Sequence, residues 1–118
     1  MTKRGFTLIE VVIALAILAV GLVGILSLFP IGFDAARRSV NSTQAALYSR
    51  EKLEQVENAG FPSVGITTGT FTDPLYRWSQ NVTAVSTAGV LRRVDLTVSW
   101  QYRTRNYQQV FTTYVATR

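Results

Sequence analysis

Three patterns of apolar and polar positions follow one another along the chain. From Val11 to Phe33 apolar residues run with almost no polar break. That run of about 23 residues exceeds the roughly 20 that a helix needs to cross a bilayer. Next, Phe33, Ala36, Val40, Leu47, Leu53 and Val56 recur near helical spacing, with Arg37, Arg38, Gln44 and Glu51 between them, as on an amphipathic helix. Finally, Val94, Leu96, Val98, Trp100 and Tyr102 alternate with Arg93, Asp95, Thr97, Ser99, Gln101 and Arg103, the period of a strand with one covered face.

The first two patterns predict one helix from about Phe6 to about Asn58, interrupted only at Pro30. Proline lacks a backbone donor and crowds the carbonyl four residues earlier, here Leu26, so a kink is expected near Pro30, with Gly32 adding softness. Asn58-Ala59-Gly60-Phe61-Pro62 ends the helix, Gly60 suiting a left-handed cap and Pro62 preventing continuation. Residues 63–73, rich in Gly, Thr, Ser and Pro, read as loop with a short strand at Ile66–Phe71. Tyr76, Trp78, Gln80 and Val82 alternate with Arg77, Ser79 and Asn81 as a further strand, and Ser86-Thr87-Ala88-Gly89 supplies a turn. A second turn at Arg103–Asn106 leads to a last strand, Tyr107–Ala116, whose Val110-Phe111 doublet blurs its inward side. The expected fold is α+β: a long N-terminal helix, membrane-inserted in its first half, packed through its second half on a three- to four-stranded antiparallel sheet.

Glu10 stands at the head of the apolar run. An ionised carboxylate within a bilayer costs roughly 2.5 to 3.5 kcal/mol on insertion scales, so a partner is expected. No basic residue follows until Arg37; the nearby cations are Lys3 and Arg4, or an amino group made by cutting the chain between them and Glu10. A glycine at such a cut leaves the backbone open to a peptidase.

Arg4-Gly5-Phe6-Thr7-Leu8-Ile9-Glu10 closely resembles the class III signal of type IV pilins and type II secretion pseudopilins. The motif and its helix cover the first third to half of the chain, and the likeness beyond is looser. The resemblance implies that Gly5 is the last leader residue and that a membrane prepilin peptidase cuts after it and N-methylates Phe6. Glu10 then takes the family's acidic position near the mature terminus. Residues 1–5 would be leader, 6–30 the transmembrane and assembly helix, and 31–118 a periplasmic pilin-like domain. The implied location is the bacterial inner membrane, single-pass, and then a pilus or pseudopilus fibre. Expected partners are the peptidase/N-methyltransferase, other pilin or pseudopilin subunits, and membrane lipid before assembly. In a fibre core of low dielectric, Glu10 of one subunit would pair with the Phe6 ammonium of the next and set axial register.

A cleavable secretory signal would need a shorter apolar region and a small-residue cleavage site, and Ser27-Leu28-Phe29-Pro30 offers none. Gly21, Gly24 and Ser27 would let another helix approach closely. Flanking charge does not orient the span by itself, because Arg37 and Arg38 follow it as Lys3 and Arg4 precede it.

Formal charge is +5; without Lys3 and Arg4, ten basic face seven acidic side chains. From Asp73 onward six Arg face two Asp, a basic balance read as a solvated face. With no Cys and no His, a disulfide and a Cys- or His-based nucleophile are excluded, as is a zinc site of ordinary composition. Glu51, Glu54 and Glu57 read as an exposed helical face with local ion pairs to Arg50 and Lys52, not acid/base chemistry. No cofactor is expected.

Tyr76, Trp78, Trp100, Tyr102, Tyr107 and Phe111 are read as core in preference to a stacking platform for single-stranded DNA. The Asn41-Ser42-Thr43 and Asn81-Val82-Thr83 sequons carry no weight beside a bacterial-type leader. The expected function is therefore non-enzymatic, a fibre subunit; small size and the lack of a disulfide favour a minor or priming one. Two alternatives stand beside it: a DNA-binding or adhesive minor pilin using Arg92, Arg93, Arg103 and Arg105, and a single-pass anchor that never assembles.

Overall fold

The computed structural model describes residues 4–117, so Met1, Thr2 and Lys3 of the expected leader, and Arg118, lie outside the described residues. The elements in chain order are α1 (Leu8–Leu26), α2 (Leu28–Asn58), β1 (Gly65–Thr70), β2 (Tyr76–Ala84), β3 (Leu91–Tyr102) and β4 (Arg105–Ala116). The chain forms two compact units, one up to Ser39 and one from Val40 onward.

In the first unit the helix starts at Leu8, two residues later than expected, because Thr7 caps it and keeps an extended backbone. No residue of α1 is buried. The interruption falls at Ser27 and not at Pro30, which sits in the first turn of α2. A proline is tolerated in a first turn, where backbone donors have no helical partner, so the break moves ahead of the ring to the turn holding Leu26. The Ser27 hydroxyl donates to the Gly24 carbonyl at 2.7 Å. Arg38 and Asp34 pair across one turn at 2.9 Å.

The second unit is a four-stranded antiparallel meander in the order β1-β2-β3-β4, covered on one face by the later part of α2. The fourth strand settles the expected range at its upper end. β4 begins at Arg105, so the last turn is Arg103–Thr104, shorter than the predicted Arg103–Asn106. Arg103 takes the left-handed conformation that this tight turn requires, with φ 57°. Gly60 has φ 99° just beyond α2, as its predicted capping role demands.

Ala45, Tyr76, Leu96, Val98 and Trp100 form the main core, and Val56, Val82 and Val94 a second cluster towards the far end of α2. Fully burying each Leu or Val contributes roughly 1.5–3 kcal/mol. The helix presents Ala45, Ser49 and Val56, with Leu53 half-buried, whereas Val40 and Leu47 of the predicted apolar face are exposed. Ala45 and Ser49 lie one turn apart, and their small side chains let the helix backbone approach the aromatic floor of the sheet.

Tyr48 of α2 stacks on Phe71 with centroids 4.9 Å apart, and within the floor Trp100 stacks on Tyr107 at 6.1 Å. The Tyr76 hydroxyl donates to Asn41 Oδ1 at 3.3 Å and the Gln109 amide donates to Ser42 Oγ, tying the helix register to the sheet. Burial, with help from the Asp73 charge and then Tyr48, raises the Tyr76 pKa above its ordinary value. In β4 the ambiguous doublet resolves: Phe111 packs against the core and Val110 faces solvent.

Candidate processing and assembly site

Gly5 and Phe6 precede α1 in non-helical backbone, and both are exposed. Phe6 is 91% exposed, so the bond after Gly5 is open to an enzyme from the side of either residue. A β-carbon built on Gly5 would meet nothing within 4 Å.

Thr7 and Glu10 form a reciprocal capping box. The Thr7 backbone N–H donates to Glu10 Oε2 at 2.9 Å, and the Glu10 N–H donates to Thr7 Oγ1 at 3.3 Å. Two helix-end donors are thereby satisfied, and the negative side chain lies at the positive end of the helix dipole. Thr7 was not among the site residues expected from sequence, although Thr7-Leu8-Ile9-Glu10 followed by an apolar run is the local signature of such a box. The box changes the account of Glu10. Its carboxylate is not waiting wholly unpartnered, since one oxygen already serves its own backbone. Among the described residues nothing occupies the second oxygen, which can accept from an incoming cation.

Beside the carboxylate, Phe6, Glu10, Val11, Ala14, Leu15 and Leu18 line a shallow hollow of about 470 Å³ on the helix surface. Its walls are almost wholly apolar, so a second apolar helix fits its chemistry, with Glu10 as the one charged group at the rim among the described residues. Gly21 and Gly24 likewise leave the helix surface open further along. The helix is long and apolar enough to cross a membrane, and the apolar side chains from Leu8 to Phe33 stay exposed when this chain is alone. So continuous a patch calls for lipid or protein cover.

The other sequence candidates fall elsewhere. Pro30 lies in α2 with no part in the Glu10 arrangement. Glu51, Glu54 and Glu57 are exposed; Glu54 pairs with Arg50 at 3.1 Å and Glu57 accepts from Thr113. Arg92 and Arg93 stand at the start of β3, while Arg103 and Arg105 flank the turn beyond its other end, so the strand's length of about 30–40 Å separates the two pairs. Arg92 lies over the Phe61 ring and donates to the Pro62 carbonyl, and Arg93 pairs with Asp95. Tyr76 and Trp100 are core residues, not an exposed platform.

No curated protein and no solved structure matches the chain. A family model described as the prokaryotic N-terminal methylation motif matches residues 1–26, a segment that contains Gly5, Phe6, the Thr7–Glu10 box and nearly all of α1. The chain thus carries a prepilin-type N-terminal methylation motif on an exposed apolar helix followed by a sheet-bearing unit, which supports a type IV pilin-like family and processing by a prepilin peptidase.

Proposed function

We propose that the chain is a non-enzymatic structural subunit of a type IV pilus or type II secretion pseudopilus, cut after Gly5, N-methylated on Phe6 and assembled through α1. The observation that carries this reading is the capped carboxylate of Glu10 within the matched methylation motif, at the head of a helix that buries none of its apolar side chains. Before assembly α1 rests in the inner membrane with the sheet-bearing unit in the periplasm. After cleavage Lys3 and Arg4 are gone and the Phe6 ammonium lies just ahead of the first helical turn.

Moving the helix from lipid to a bundle brings little hydrophobic gain, because both surroundings are apolar; packing and polar pairing decide the outcome. Glu10 is the group able to pair. One oxygen holds the Thr7 N–H, and the other takes the Phe6 ammonium of an adjoining subunit, which fixes axial register. The small second unit, without a cysteine, suits a minor subunit present in few copies.

Intact-mass and N-terminal peptide mass spectrometry of the protein purified from its native membrane tests the processing step. The expected terminus is N-methylated Phe6. A mature protein that retains Met1 or Thr2 overturns the reading in favour of a simple anchor.

A further inference from the structure

β4 is an edge strand of 12 residues, paired one-to-one with β3 along its whole length and without a bulge. Proteins ordinarily blunt such edges with charge, proline, bulges or short length, and β4 has none of these between Asn106 and Thr117. The Thr117 N–H donates to the Val90 carbonyl, and bonded positions alternate in an antiparallel pair. The backbone groups of Asn106, Gln108, Val110, Thr112, Tyr114 and Ala116 therefore point away from β3, and all six residues are exposed. At the other edge β1 is short, uncharged and also unpaired on its outer side.

We propose that β4 pairs with β1 of an adjoining copy of this chain, joining the two sheets into one. The choice of occupant follows from direction. Asn41 lies by Tyr76 at the start of β2, and Val56 lies by Val82 near its end, so α2 runs the same way as β2 and β4. Copies anchored in one membrane enter from the same side and present α2 with one polarity. Antiparallel β4–β4 pairing would reverse one helix.

Parallel β4–β4 pairing would keep the helices parallel but set them on opposite faces of the joined sheet, with Arg105 beside Arg105. Because the sheet has four strands in simple meander, a translated copy brings its β1 antiparallel to β4 and keeps both helices on one face. On the solvent face Ile66, 70% exposed, then comes beside Val110 and Tyr114, 58% and 56% exposed, so apolar surface meets apolar surface and no charge is buried. The contact is head-to-tail and does not close on itself, as a growing fibre or a short run of copies requires.

The chain has no cysteine, so introduced thiols report without background. Full-length variants pairing Ile66→Cys with Val110→Cys, Thr112→Cys or Tyr114→Cys, with the four single variants, are expressed in membranes, oxidised with copper phenanthroline and run without reductant; Thr112 stands in line with Ile66 across the sheet. Positions 66 and 110 of one chain are separated by three strand spacings, roughly 14 Å, which no intramolecular disulfide bridges. The expected result is a ladder of dimers, trimers and larger species from at least one double variant, with the single variants monomeric. Dimers from Val110→Cys, Thr112→Cys or Tyr114→Cys alone, or no ladder from any of the three double variants, overturn the proposal. Pairing needs only that copies share a membrane, so in the native membrane a ladder formed by chains with an uncut leader sinks the processing reading and leaves this contact standing.

Discussion

Trp78 lies so close over Gly69, its partner across the β1–β2 pair, that a β-carbon on Gly69 would sit 2.7 Å from the indole ring. Lys52 from α2 places its ammonium 3.9 Å from the centroid of the same ring. An edge glycine is thus covered by a cross-strand aromatic, a device that pins the register of a weak strand. Gly69→Ala drives a methyl group into a rigid ring and costs about 1–3 kcal/mol. Thermal unfolding of the detergent-solubilised protein should show a midpoint several degrees lower, at roughly 4–8 °C per kcal/mol for a domain of this size. An unchanged or higher midpoint contradicts the close contact.

Leu96 and Leu47 separate the true helix–sheet interface from the one that hydropathy suggests. Leu96 is fully buried and Leu47 is exposed. Leu96→Ala should cost about 2–5 kcal/mol in denaturant unfolding. Leu47→Ala should stay within about 0.5 kcal/mol of the parent. Comparable losses from the two substitutions would mean that α2 turns a different face to the sheet.

Asp95 gives the second unit a stability term that depends on acid. The Thr112 hydroxyl donates to its carboxylate at 2.6 Å and Arg93 donates at 3.1 Å. The Thr112 hydrogen bond, opposed in part by burial and aided by Arg93, holds its pKa below the ordinary aspartate value. The unfolded chain therefore takes the proton first as pH falls. The contribution is complete above the ordinary aspartate value, about 3.9, and is lost as pH drops through the lower folded value. Asp95→Asn should flatten the fall in unfolding midpoint below about pH 4. Identical pH profiles for parent and variant would contradict it.

The long helix, β2, β3 and β4 were legible because each carries its own period, 3.6 or two, over many residues. The covered face of α2 was not. Ala45 and Ser49 give little hydropathy signal, whereas Val40 and Leu47 give a strong one and yet face solvent; close packing selected small side chains over greasy ones. β1 was ambiguous for a related reason, since Gly65, Thr67, Thr68 and Gly69 have weak local preference. Its pairing with β2 and the cover from Trp78 make it a strand. Thr7 is legible in principle, three residues ahead of Glu10, but a carboxylate at the head of an apolar run points first to a cationic partner, and a neutral hydroxyl in the same turn carries no charge signal. The exposed edge of β4 depends on strand order, which no local pattern carries.

The capping box permits a test of Glu10 that alanine does not. Glu10→Ala removes the cap and the charge together; leader cleavage should persist and incorporation should fall, for either reason. Glu10→Gln keeps a side chain able to accept from the Thr7 N–H while removing the negative charge. The decisive measurement is the fraction of leader-cleaved Glu10→Gln subunit recovered in sheared fibres at native expression, relative to the parent. A loss close to that of Glu10→Ala is the result expected if the carboxylate pairs with a neighbouring Phe6 ammonium. Incorporation equal to the parent would reduce Glu10 to a helix cap and contradict the pairing.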